Sequence, residues 1–133
     1  MKKLWDKKGG VQTNKTVENY TVGVDYLLDL GLLPYDIKGT MAHAKMLKNI
    51  KILNSKELSI LLKGLNGILN LWKTGKFRID KSQEDGHTTI ESYLMEKYGD
   101  VGKKVHTGRS RNDQSLTMPR LFSKRNFWKL KNK

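Results

Sequence analysis

Leu58, Leu61, Leu62, Leu65, Ile68, Leu69 and Trp72 step along the chain by three or four residues. They form one apolar stripe about five helical turns long. Asn54-Ser55-Lys56-Glu57 precedes the stripe with the form of a capping box, a short polar side chain followed three residues on by Glu, and Thr74-Gly75 closes it. Gly64 and Gly67 lie inside this predicted helix, each at a cost of up to about 1 kcal/mol relative to alanine. Close approach of a neighbouring helix is the expected compensation. A second helical pattern carries Ile37, Met41, Ala44 and Leu47, with Asp36 expected as its cap and Pro34 in the approach. In a third, Ser82-Gln83-Glu84-Asp85 reads as a capping box ahead of Ile90, Leu94 and Tyr98, and Gly99 is placed to stop the helix. Before these, Lys7-Lys8-Gly9-Gly10 reads as flexible, and the apolar run Val22–Leu33 is interrupted by Gly23 and Gly31.

Strand signals are scarce, so the expected fold is all-α. One stripe per helix is little for an independent core. Helices of this kind are completed by neighbours in the same chain or another, which points to a portion of a larger helical assembly.

Composition narrows the class. At 133 residues there is room for one domain with a modest core. The absence of cysteine excludes a disulfide scaffold and any cysteine-based zinc site, and it fits a reducing, cytoplasmic compartment. No apolar run reaches the length of a membrane span, and no signal-type apolar stretch follows Met1-Lys2-Lys3. The net charge of +13 raises nucleic-acid binding as an alternative. However, 21 of the 26 basic residues are lysines scattered along the chain, with no zinc-finger spacing, aromatic RNA-binding motif or basic-plus-heptad pattern. After Asp113 no acidic residue occurs, so the tail inflates a charge that is milder in the body.

The densest chemistry lies in His106-Thr107-Gly108-Arg109-Ser110-Arg111-Asn112-Asp113-Gln114. Nine residues without an apolar member cannot supply a buried stripe. The glycines at 99, 102 and 108 place this run on a loop or at a helix start. It is either a solvated basic loop or a surface shaped for a polar anion, since arginine's planar fork grips a carboxylate through two parallel hydrogen bonds.

The order of several motifs resembles that of the argininosuccinate lyases, in the fumarase/aspartase superfamily. They are Lys3-Leu4-Trp5, Thr21 to Leu30, Tyr35 to Leu47, Glu84-Asp85-Gly86-His87 and His106 to Gln114. The resemblance covers roughly residues 3–122, the N-terminal part of that enzyme. It implies reversible elimination, in which argininosuccinate splits to arginine and fumarate with no metal and no organic cofactor. Such enzymes are homotetramers whose sites draw on several subunits. By the same resemblance Arg111 and Asn112 are substrate contacts, Ser110, Arg109 and Thr107 belong to the same substrate-binding loop with Asp113, Thr21 replaces a substrate-contacting serine, and Asp25 matches a nearby acidic position. His87 matches a histidine of the active site and is the one candidate catalytic group. Its neighbouring carboxylates serve equally well as partners of a helix dipole. His43 and His106 are read as loop-organising or surface histidines.

The family's base is a serine on a mobile loop far downstream, with a catalytic histidine also downstream, and neither segment occurs in these 133 residues. The expectation is therefore an inactive fragment that supplies one wall of a pocket. Residues 1–114 read as a partial lyase-like helical domain and 115–133 as a divergent basic tail, possible product of a truncated or frameshifted gene. Met118-Pro119 falls where a helix should run on, and proline there is expected to break it at about 3 kcal/mol. A non-catalytic partner of a full-length lyase is the remaining alternative.

Overall fold

A computed structural model describes residues 25–80 and 85–132. In chain order the helices are α1 (Asp25–Asn49), α2 (Ser55–Lys73), α3 (Gly86–Tyr98), the short α4 (Asp100–Lys103) followed by a 3-10 turn (Lys104–His106), and α5 (Arg111–Lys131). Among the described residues there is no strand, in keeping with the all-α expectation. α2, α3 and α5 all pack on α1, which is the spine of the molecule.

Helix α2 begins as its sequence predicts. Asn54 accepts from the Glu57 amide at 2.9 Å, and Glu57 accepts from the Asn54 amide at 2.9 Å. Its apolar stripe supplies Leu61, Leu65 and Ile68 to a core shared with Leu33, Ile37, Ala44 and Leu47 of α1 and Ile90 and Leu94 of α3. Gly64 is where α3 comes closest: a Cβ there would lie 2.4 Å from Leu94 Cδ2 and 2.6 Å from Tyr98 Cε2. Gly67 faces more open space, with Tyr93 Oη 3.5 Å from its virtual Cβ.

Helix α1 departs from its predicted start. It runs unbroken through Pro34, and Asp36 lies in its interior, 2% exposed, rather than capping it. Proline has no N–H for the Leu30 carbonyl four residues back. The indole Nε1 of Trp72, on α2, donates to that carbonyl at 2.8 Å instead. A side chain thus replaces the missing backbone donor, and the helix continues.

The start of α3 also differs from the predicted box at Ser82. The cap is Asp85, which accepts from the Thr88 amide at 2.8 Å. The Gly86 amide is taken by Asp29 of α1 at 2.9 Å, so the first turn is fixed from outside the helix. Residues 82–84 lie outside the described residues. Gly99 ends the helix at φ +58°, a left-handed conformation that glycine adopts without strain.

Helix α5 continues through Pro119, against the break expected there. Ser115, four residues back, is exposed, and a helical carbonyl left without a donor is tolerated where water can reach it. The first half of α5 is anchored by buried Gln114 and Met118, while Phe127, Trp128 and Leu130 are largely exposed.

Candidate active site

The polar run folds as a loop that becomes the first turn of α5. Gly108, at φ +69°, makes the bend. Ser110 then caps α5: its Oγ accepts from the Asp113 amide at 3.2 Å, while the Asp113 carboxylate accepts from the Ser110 amide at 3.2 Å. Arg111 and Asn112 thereby occupy the first two helical positions, both exposed. A helix start leaves N–H groups for a cap or an anion, and its dipole favours negative charge.

The two arginines point to different places. Arg111 reaches the start of α3, with Nε 3.2 Å from Asp85 Oδ2 and Nη2 donating to Thr88 Oγ1 at 2.9 Å. It therefore links the N-termini of α3 and α5. Arg109 turns inward, and its Nη1 donates to Thr40 Oγ1 at 3.3 Å. It passes Gly39, where a Cβ would be in ordinary contact with Arg109 Nη2 at 3.5 Å and closer to Thr117 Cγ2 of α5, at 3.2 Å. The Thr107 side chain is exposed, while its carbonyl lies 3.0 Å from His43 Nε2 of α1. Lys104, just before the loop, lies 2.6 Å from Glu57 at the start of α2. That ion pair, with the Asn54 amide, holds the Glu57 carboxyl below its ordinary range.

Beneath the loop lies a buried polar group on α1. Thr40 Oγ1 donates to Asp36 Oδ1 at 3.4 Å, and Asp36 Oδ2 lies 2.6 Å from His87 Nδ1. Asp36, Thr40 and His87 are 2%, 0% and 5% exposed. Burial works against a charged His87. The hydrogen bond and charge of Asp36, with the charges of Asp85 and Asp29, outweigh it and raise the imidazole pKa above 6.5. Burial raises the Asp29 carboxyl, against the bond from the Gly86 amide. Burial also pushes His43 down, helped by the nearby charges of Arg109 and His106 and opposed by its contact with Thr107. His106 lies 3.5 Å from Glu91 of α3 and holds the base of the loop.

Sequence-predicted residues thus fall into two groups. Arg109, Ser110, Arg111, Asn112 and Thr107 come together on the loop and helix start, with His87 buried close by. Asp25 opens α1, and its side chain is not among the described features; Thr21 lies outside the described residues. Asp29, Asp36 and Thr40 were not expected in the site at all. Their signal was readable: together with Leu33, Ile37, Ala44 and Leu47 they share one face of α1 at helical spacing. Polar residues set in a core-facing stripe need partners, and here the partners are the α3 start and the loop. No cluster of histidine and carboxylate groups suited to a metal ion occurs among the described residues.

Comparison with known proteins agrees with this picture. A family profile described as "Lyase" matches residues 4–132, past the stretch in which the motifs themselves are readable. The argininosuccinate lyase of Thermotoga neapolitana is 45% identical over 129 residues, 97% of this chain and 32% of the relative. That of Bacteroides thetaiotaomicron is 46% identical over 122 residues, 92% of this chain and 27% of the relative. That of Maridesulfovibrio salexigens is 46% identical over 129 residues, 96% of this chain and 28% of the relative. The chain therefore spans about a third or less of the length of the curated relatives it matches. The motif order, the all-helical fold and a match over nearly the whole chain lead to one assignment: the chain belongs to the lyase family, and the relatives it resembles are argininosuccinate lyases.

Proposed function

We propose that this chain forms one wall of an argininosuccinate-binding pocket and acts in the reversible cleavage of argininosuccinate to arginine and fumarate. The observation that carries this reading is the placement of Arg111 and Asn112 on the first turn of α5, beside the start of α3. The reaction needs a base to remove a proton next to a carboxylate, and the resulting carbanion spreads its charge onto that carboxylate. Cationic and N–H donors fixed around the developing charge lower the barrier. The Arg111 guanidinium, the Asn112 amide and the α5 N-terminus are donors of that kind, held by Asp85, Thr88 and the Ser110–Asp113 cap.

The groups that move protons belong to segments beyond this third of the enzyme. Site completion takes place in a homotetramer, in the cytoplasm, as part of arginine biosynthesis. No helix among the described residues is long and apolar enough to cross a membrane. The test uses the isotope-labelled chain and argininosuccinate. Amide resonances of Ser110, Arg111 and Asn112 shift on titration, Arg111→Ala removes the shifts, and the chain alone releases no fumarate detectable by its ultraviolet absorbance. Shifts confined to other surfaces, or fumarate release by the purified chain free of other lyase, would overturn the proposal.

A further inference from the structure

We infer that Asp36 is a positioning residue of the candidate site, one buried carboxylate that fixes both His87 at the start of α3 and, through Thr40, Arg109 in the polar loop. The inference rests on the reading of that loop as part of a binding pocket, and it names the residue that organises the pocket from below. Three observations support it.

Burial comes first. Asp36 sits in the core-facing stripe of α1, between Leu33 and Ile37, both fully buried. A carboxylate in such a place stays charged only with a partner of opposite charge and hydrogen bonds. The partner is His87, at 2.6 Å, and among the described residues neither Asp36 Oδ2 nor His87 Nδ1 has another.

Direction comes second. A threonine hydroxyl has one proton. Thr40 gives it to Asp36 Oδ1 at 3.4 Å, so its oxygen is left to accept, and Arg109 Nη1 donates to it at 3.3 Å. The chain of contacts runs one way, from Arg109 to Thr40 to Asp36, and it ends against His87. Replacing the Asp36 charge removes the reason for Thr40 to point its proton inward, and with it the acceptor that holds Arg109.

Third, the charges that act on His87 among the described residues are those of Asp36 and Asp29 from α1 and Asp85 from the cap of α3, the last paired with Arg111. That surrounding raises the imidazole pKa above its ordinary value and so favours the charged form, against the effect of burial.

The test needs no substrate, so it stands or falls separately from the proposed reaction. In the full chain labelled with nitrogen-15, the His87 ring is titrated and the side-chain N–H exchange of Arg109 is followed. Asp36→Asn moves the His87 midpoint down to or below the ordinary imidazole range and speeds Arg109 exchange. Thr40→Val speeds Arg109 exchange while His87 keeps its raised midpoint, and Thr40→Ser, which restores the hydroxyl, restores slow exchange. An unmoved His87 midpoint in Asp36→Asn overturns the inference, as does Arg109 exchange that is the same in Thr40→Val and the parent. If Asp36→Asn does not fold, the Thr40→Val and Thr40→Ser pair decides alone, with equal exchange in the two counting against it.

Discussion

Pro34 leaves the Leu30 carbonyl without a helical donor, and Trp72, 42 residues away from Leu30, supplies one. The bond is part-buried, so its loss exposes the carbonyl to little water. Trp72→Phe keeps a ring in place and removes only the donor. The expected cost is about 1–2 kcal/mol, within the penalty for an unsatisfied buried carbonyl. Urea denaturation measures it, and an unchanged midpoint would show that water reaches Leu30 after all. This contact also explains what local reading missed. Proline is legible as a helix boundary because its effect on its own turn is local. The compensating donor comes from another helix, and no rule of short spacing reveals it. Asp36 misled for a related reason: a carboxylate two residues after a proline looks like a cap until a partner on α3 gives it a reason to be buried.

Helix α2 was the most legible element, because its cap, stripe and stop are all local and agree with one another. Its two internal glycines separate what is read from what must be seen. Spacing announces both as weak points, while only the packing shows that they differ. Gly64 lies under Leu94 and Tyr98, and Gly67 has ordinary contact distance to Tyr93. Gly64→Ala is expected to destabilise the chain by about 1–3 kcal/mol through overpacking. Gly67→Ala is expected to stabilise it by up to about 1 kcal/mol through helix propensity. Thermal melts of the two variants should move in opposite directions; a shift of the same sign in both would refute the distinction. The run 106–114 was legible as a loop or helix start from its glycines and its lack of apolar residues. What the residues did not reveal was that Arg109 and Arg111, two positions apart, serve different neighbours.

At the scale of the molecule, two histidines pull stability in opposite directions with pH. His43 has its pKa lowered on folding, so the unfolded chain binds the extra proton and stability rises as pH climbs toward 6.5. His87 has its pKa raised, so its contribution is complete below 6.5 and is lost as pH rises through the folded value. Together they give a stability maximum near the ordinary imidazole pKa. Urea midpoints across the neutral range should trace that maximum, and Asp36→Asn should flatten the alkaline side. A midpoint that climbs steadily above pH 6.5 would contradict the charged state of His87. The all-α class was readable because three of the helices carry a helical period and strand signals are scarce. The arrangement around α1 was not, because it depends on contacts between helices far apart in the chain.

The face of α1 that carries Asp29, Asp36 and Thr40 into the interior ties the pocket to the core. Polar groups there are tolerable because the start of α3 and the loop before α5 are seated on them. The same buried groups therefore support both the loop and the hydrophobic interior, and a substitution among them is expected to disturb both. A substitution in the stripe of α1 is thus expected to be felt at the loop as well as in the core.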